Sequence, residues 1–396
     1  MSSTQRHDVV IAGGGTAGLA LACALADALG DGARIAVVDR AQLGAASPGD
    51  ARAFALSAGS KRMLGVLDVW PQIAEHAQPV TAIDITDSSL QDAFRPVLVS
   101  YDNTVEGGEP GTYIVEHRRL HQALIAAAAA RPSIALLGGA TAESFAADEH
   151  GVAVQLSGRA PLRAALLVAA DGSKSQLRDA AGIKVLRWSY PQIGIVTTVR
   201  HEKPHQGRAV QHFLPGGPFA ILPLTGSRSC ITWTEGADRA RAILALDDAG
   251  FLAEVEARFD YRLGAIELAG ERASWPLDMH LARAMVGHRF ALVGDAAHGV
   301  HPLAGQGVNL GFGDAQALSS VLADRGPVGD AGAPILLERF ARRRAEPVLA
   351  MHTVTDGLVR MFGPRTPWLK TLRNAGLFAV DRLPMIKRAL AQPALR

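Results

Sequence analysis

Residues 7–40 read HDVVIAGGGTAGLALACALADALGDGARIAVVDR. His7 to Ala12 has the composition of a buried parallel strand, and ARIAVVDR that of a second one ending at Asp39. The alanine- and leucine-rich run from about Leu19 to Leu29 between them reads as an apolar helix. Gly13, Gly15 and Gly18 fall in GxGxxG spacing at the strand-to-helix turn. Such glycines permit a tight turn and close approach of backbone to a pyrophosphate, whose charge the helix N-terminus favours. An acid at the end of the next strand, here Asp39, accepts from a ribose hydroxyl. A glycine-rich turn between packed elements is the alternative, but strand, helix and acid together favour a dinucleotide site.

Composition narrows the rest. A chain of 396 residues holds about two or three domain-sized units. With 48% hydrophobic and 20% charged residues it has material for a large core and is no disordered chain. Lys and Arg total 40 against 38 Asp and Glu, so nothing global points to nucleic acid. Cys23 and Cys230 are the only cysteines, which argues against a disulfide scaffold or a zinc site and suits a reducing compartment. The N-terminus lacks a signal-peptide core, and no apolar run reaches the roughly 18 residues of a membrane span. A cytoplasmic protein is expected.

A second glycine-rich stretch, ALVGDAAHGVHPLAGQGVNLGFGDAQAL, occupies residues 291–318. It begins as a buried strand, breaks at Gly294-Asp295 and leads into a helix. Asp171-Gly172 ends another strand in ALLVAADG. HRRLHQALIAAAAA reads as helical. From about Val185 to Ser274, alternating and β-branched segments such as IGIVTTVRH and SCITWTE predict an antiparallel sheet. One helix-like stretch, ILALDDAGFLAEVEARF, interrupts it.

The GxGxxG start, the central Asp-Gly and the late Gly-Asp together resemble flavoprotein monooxygenases of the p-hydroxybenzoate hydroxylase type. ARAFALSAGSKRML, TVRHEKPHQGRAVQHFLPGGPFAILPL, the stretch around Gly294-Asp295 and LERFARRRAEPVLAMHTVTDGLVRMFG are similar to the ubiquinone-biosynthesis hydroxylases within that group. The resemblance implies an α/β chain with a discontinuous, three-layer FAD-binding domain (residues 1–75, 101–183 and 285–350). It also implies an inserted β-sheet substrate domain (76–100 and 184–284) and a C-terminal helical region (351–396). Asp295 with Gly294 is expected at the ribityl chain of FAD, Asp171 near the pyrophosphate, and Arg52 beside it. Pro302 is expected next to the flavin ring, with backbone amides of Gly305, Gln306, Gly307, Val308 and Asn309 at its pyrimidine edge. Glu116-His117-Arg118-Arg119 departs from the family's Glu-Asn and leaves open which side chain meets the cofactor.

The implied reaction is hydroxylation of a polyprenylated phenol, with NAD(P)H reducing FAD and dioxygen as co-substrate. No metal is needed, and no side chain is named as acid or base. His298 and His301 read first as turn histidines bonded to backbone. Ile195, Val210, Phe213, Phe219, Ile221 and Leu222 are candidates for an apolar tunnel, although about half of a sheet's residues must point away from any ligand. Two alternatives remain: a hydroxylase of soluble phenols or polyketides, and a non-catalytic flavin-binding subunit of a biosynthetic complex. WLKTLRNAGLFAVDRLPMIKRAL, residues 368–390, reads first as a helix packed on the body with a solvated basic face. Its second reading is a basic amphipathic surface for peripheral contact at the inner face of the membrane.

Overall fold

A computed structural model describes residues 6–44, 51–87, 89–90, 96–105, 107–259, 262–300, 307–325 and 329–362. The first strand, β1 (His7–Ala12), pairs in parallel with β2 (Ile35–Asp39) on one side and β11 (Arg159–Ala169) on the other. The parallel ladder continues through β8 (Ile134–Gly138) beyond β2 and β19 (Phe290–Leu292) beyond β11. β9 (Ala142–Ala147), β10 (Val152–Leu156) and β18 (Val286–Gly287) join it in antiparallel fashion. Chain order reverses between β1 and β11. That is the switch point where open α/β sheets leave a crevice beyond the carboxyl ends of the strands.

Alternation along these strands separates two layers. Val9 and Ile11 pack under α1 (Thr16–Leu29), α4 (His117–Ala129), α8 (Gly307–Ala323) and α9 (Pro334–Phe362), whereas Val10 and Ala12 pack under the β9–β10 hairpin. The buried Leu177 of the short α5 (Gln176–Ala180) joins the second layer. The sheet therefore sits between helices and a smaller β-layer. The helix behind the glycine turn starts at Thr16, one turn earlier than its apolar residues suggest, because Gly15 takes the N-cap position.

A second sheet runs β20 (His298–Gly299), β17 (Ala273–Ala282), β12 (Val185–His201), β15 (Arg228–Gly236), β14 (Gly217–Leu224), β13 (Arg208–Leu214), β5 (Ala82–Asp87) and β6 (Val99–Asp102), with β16 (Ile266–Leu268) paired to β12. Residues 82–102 thus enter a sheet built mostly from residues 185–282. The predicted single helical stretch at 243–259 is two helices, α6 (Ala237–Leu244) and α7 (Asp248–Phe259). Asp247 divides them by accepting the Gly250 amide at 2.8 Å, a side-chain cap on the second helix.

Ile195, Val199, Phe219, Ile221 and Trp233 on one face of this sheet pack with Phe251, Val255 and Phe259. The other face meets a three-stranded sheet of β3 (Ala53–Ser57), β7 (Thr112–Glu116) and β4 (Gln78–Val80), where Val196, Ala209 and Cys230 touch Ala55 and Ile114. From β3 the chain turns into α2 (Ala58–Val66), capped by Ser57 through its bond from the Ser60 amide, and then α3 (Trp70–Ile73).

Helices α1 and α8 cross where neither carries bulk. A Cβ placed on Gly311 would lie 3.1 Å from the Ala17 Cβ and 3.5 Å from the Gly294 Cα. Gly311→Val should lower stability by about 1–3 kcal/mol through overpacking. A fall in the urea midpoint checks it, and an unchanged midpoint would show that the crossing has slack.

Candidate functional site

The glycine turn lies at the switch point and each glycine has its own reason. Gly13 has φ +117°, and a Cβ there would lie 2.2 Å from the Ala170 carbonyl oxygen. A Cβ on Gly18 would lie 2.0 Å from the Gly13 carbonyl oxygen. Both are demanded by packing of the turn itself. Gly15 differs, since among the described residues nothing lies within 4 Å of its added Cβ. Its face is open, and α1 begins there with no side-chain cap and no acid in its first turn. Unpaired amides at an uncapped helix start attract an anion.

Asp39 reaches this turn from the end of β2. Its two carboxylate oxygens accept the Gly14 amide at 2.6 Å and the Ala41 amide at 2.7 Å. Each oxygen keeps a lone pair for a hydroxyl. His121, one helical turn beyond His117, places its Nε2 2.8 Å from the Gly14 carbonyl oxygen and stacks on the His117 ring. Glu116 accepts from Arg228 at 3.3 and 3.4 Å, and the Arg52 carbonyl accepts the His117 amide at 2.9 Å. Arg52 is exposed, its guanidinium 5.9 Å from the centre of the Phe54 ring. Within the departing tetrad, then, Glu116 is engaged by Arg228, and the histidine that touches the glycine turn lies outside it.

The Asp-Gly and Gly-Asp segments are tied to each other. Arg178, 2% exposed, donates to the Ser173 carbonyl at 3.2 Å and to the Ala296 carbonyl at 3.1 Å. Asp171 has an accessible side chain within the protein-dense crevice, and desolvation there raises its carboxyl above the usual range. Gly294 has φ +59°, and a Cβ on it would come 3.0 Å from that of Ala17. The Asp295 side chain is exposed, and its carbonyl accepts from His280 Nε2 at 2.7 Å.

Behind this turn lies a polar cluster that no motif announced. Asp314, fully buried on α8, accepts the Gly294 amide at 2.8 Å and His298 Nε2 at 2.7 Å on one oxygen. Its other oxygen accepts Arg344 Nε from α9 at 2.6 Å. Burial alone would lower the His298 pKa, but the Asp314 charge and hydrogen bond outweigh it and hold the ring above its ordinary value. Burial likewise acts to raise the Asp314 pKa, and His298 and Arg344 hold it low. His298 thus bonds to a carboxylate rather than to backbone, as a turn histidine would.

Asn309 is committed to the fold through its side chain. It accepts from the Ser57 amide at 3.0 Å and the Ser60 hydroxyl at 2.7 Å, and donates to the Ala55 carbonyl at 2.8 Å. Gly307, Val308 and Asn309 are the first described residues of α8. His301, Pro302, Gly305 and Gln306 lie outside the described residues, as does the segment from Trp368. Of the six tunnel candidates, Ile195, Val210, Phe219 and Ile221 pack with α6 and α7 and are ordinary core. Leu222 lies on the opposite, inward face with Ala55 and Val196, and strand alternation puts Phe213 there too.

The FAD binding domain family matches residues 6–353. The chain is 39% identical to the ubiquinone hydroxylase UbiL of Rhodospirillum rubrum, over all of this chain and 90% of that one. It is 33% identical to the 3-demethoxyubiquinol 3-hydroxylase of Escherichia coli, over 99% of each. Its fold is similar to that of p-nitrophenol 4-monooxygenase PnpA from Pseudomonas putida DLL-E4, with a TM-score of 0.80 and 19% identity over 97% of this chain and 96% of that one. The chain belongs to the FAD-dependent ubiquinone-biosynthesis hydroxylase family.

The residues present fit FAD. The open face of Gly15, the uncapped start of α1 and the lone pairs left on Asp39 match a pyrophosphate and its ribose. Gly15→Ala should fold with a loss of no more than about 1 kcal/mol, that of a poorer N-cap, because its Cβ meets nothing among the described residues, yet retain FAD less well. FAD content after gel filtration, set beside the melting temperature, checks this. Unchanged retention would mean that the cofactor does not approach that face.

The His298–Asp314 pair predicts a pH dependence. A raised histidine contributes stability fully below its unfolded pKa of about 6.5, and loses it as pH rises through the higher folded value. A depressed aspartate contributes above about 3.9 and loses it as pH falls through its lower folded value. Chemical denaturation from about pH 6 to 9 should therefore show a decline that His298→Gln flattens. Parallel curves for the two proteins would show that the pair adds nothing.

Proposed function

We propose that this protein is an FAD-dependent monooxygenase that hydroxylates the ring of a polyprenylated phenol in ubiquinone biosynthesis, using NAD(P)H and dioxygen. The observation that carries this reading is the meeting of the glycine turn, the Gly294-Asp295 turn and the start of α8 around Ala17 and Gly311. Bound there, FAD supplies the redox and oxygen chemistry. The chain's own part is to hold and orient. The start of α1 takes the pyrophosphate, Asp39 the ribose hydroxyls, Asp295 the ribityl chain, and the first amides of α8 the pyrimidine edge. Residues 1–75, 101–183 and 285–350 form the FAD-binding part, and 76–100 with 184–284 the substrate part.

The substrate class is supported by the sheet's inward face. Its middle, comprising Ile85, Gln211, Phe213, Ala220, Leu222 and Thr232, carries no arginine or lysine. A benzoate-type acid calls for a cationic fork; a neutral phenol with a hydrocarbon tail does not. Such a tail also calls for access from a membrane. Among the described residues no helix is long and apolar enough to cross one. Ile335, Leu349 and Val354 stand exposed on α9; that a cytoplasmic protein touches the membrane peripherally is part of the same proposal.

Turnover by the purified protein with FAD and NAD(P)H should rise with prenyl length up to the solubility limit, since each buried methylene adds about 0.8 kcal/mol. Mass analysis should show one oxygen atom added to the ring. Faster oxygenation of unprenylated phenols would replace this reading with that of a soluble-aromatic hydroxylase.

A further inference from the structure

The two faces of the second sheet differ in a way that singles out one side chain. On β13, Val210 and Leu214 join the core with α6 and α7, whereas Ala209 joins the cluster around Ala55. Alternation along the strand therefore turns Gln211 inward with Ala209. Its register neighbours are Ala220 on β14 and Ile85 on β5, and Ala220 in turn faces Thr232 on β15. Leu222, two residues beyond Ala220, packs on the Ala55 cluster and fixes the side independently.

Exposure separates the faces. Phe219, Ile221 and Trp233 on the outward face are at most 2% exposed. Ile85, Gln211, Leu222 and Thr232 on the inward face are only half-buried, although a second sheet stands on that side. Among the described residues, nothing packs this part of the face as the outward face is packed. Among these side chains, the Gln211 nitrogen Nε2 is shielded from solvent and has no hydrogen-bond partner among the described residues. A buried donor without an acceptor bears its full desolvation cost, and a ligand that brings the acceptor relieves it.

We propose that Gln211 Nε2 donates to the ring oxygen of the phenolic substrate and thereby sets how the ring lies on this face. The inference rests on the functional reading above and adds the residue that recognises the head group. An uncharged amide suits this task. It reads a hydroxyl or phenolate oxygen by one directed bond, and it exerts no Coulombic pull on the carboxylates that a cation there would collect. Ile85 and Leu222 beside it are aliphatic and Thr232 lies two strands away, across Ala220, so the ring's orientation depends chiefly on that bond. A site built to pair a substrate hydroxyl discriminates strongly against the analogue that lacks it.

The test uses the FAD-loaded enzyme and two ligands, a prenylated phenol and the same molecule without its ring hydroxyl. Binding is read by titration, and coupling as product formed per NAD(P)H consumed. The wild type should prefer the phenol by about ten- to a hundredfold. Gln211→Met, which keeps the length of the side chain and removes the donor, should bind both ligands alike. It should also couple less well, with FAD content and melting temperature unchanged. Gln211→Glu, which cannot donate when ionised, should favour the deoxy analogue. A preference retained in Gln211→Met overturns the proposal. So do equal wild-type affinities for the two ligands, a result that needs no variant to fold. Wild-type enzyme that oxygenates no prenylated phenol overturns the functional reading itself, whereas normal wild-type turnover with unchanged preference in Gln211→Met removes only the role of Gln211.

Discussion

The buried carboxylate of Asp314 is the constraint on which the rest of the site depends. One oxygen holds the Gly294 amide and the His298 ring, and the other holds Arg344. Three elements that are remote in sequence are thereby fixed to one point: the turn after β19, the helix α8 and the helix α9. A charge withdrawn from water this completely is tolerable only when its lone pairs are filled, and removing a single partner from such a cluster costs about 3–5 kcal/mol. The arrangement yields geometry more than net stability. It holds Gly294 at φ +59° against Ala17, and so sets the Gly-Asp turn beside the glycine turn of β1.

The same point also couples the two sheets. His298 belongs to β20, whose partner β17 carries His280, and the His280 ring bonds to the carbonyl of Asp295. A Cβ on Gly299 would lie 2.4 Å from that ring, so close packing and hydrogen bonding there enforce each other. Arg178 closes the loop from the other side by reaching the Ala296 carbonyl. The turn from Gly294 to Ala297 is thus gripped by side chains from β17, α5 and α8. A rigid turn of this kind presents its amides and the Asp295 side chain without having to reorganise when a ligand arrives.

How legible this was in the sequence depends on the range of each interaction. The β1–α1–β2 unit could be read because its signals are local: an apolar strand, glycines at fixed offsets and an acid one strand later. The alternating strands from Val185 onward were legible for the same reason. What could not be read was whatever pairs across the chain. Asp314 and Arg344 are 30 positions apart and look like ordinary polar residues on two helices. His121 was within reach, because a residue four positions after His117 shares its helix face. Four of the six tunnel candidates failed on a subtler point. Composition marks a strand as apolar but does not say which face meets a helix, and Val210 and Ile221 proved to face α6 and α7.

That division of faces explains how one sheet serves two ends. Its outward face is sealed by Phe251, Val255 and Phe259, and the cation of Arg258 lies 4.0 Å from the centre of the Trp233 ring, paired with Glu235 and Glu254. With that side packed to completion, the strands have little freedom to twist or slip, since a one-residue shift would exchange the two faces. The inward face can then remain incompletely filled without loss of register. Half-buried side chains such as Leu222 and Thr232 persist there because the stabilising contacts lie on the far side. The buried carboxylate of Asp314 and the sealed outer face thus act together: one fixes the Gly294 turn and β20 on β17, the other fixes the register of the strands beyond.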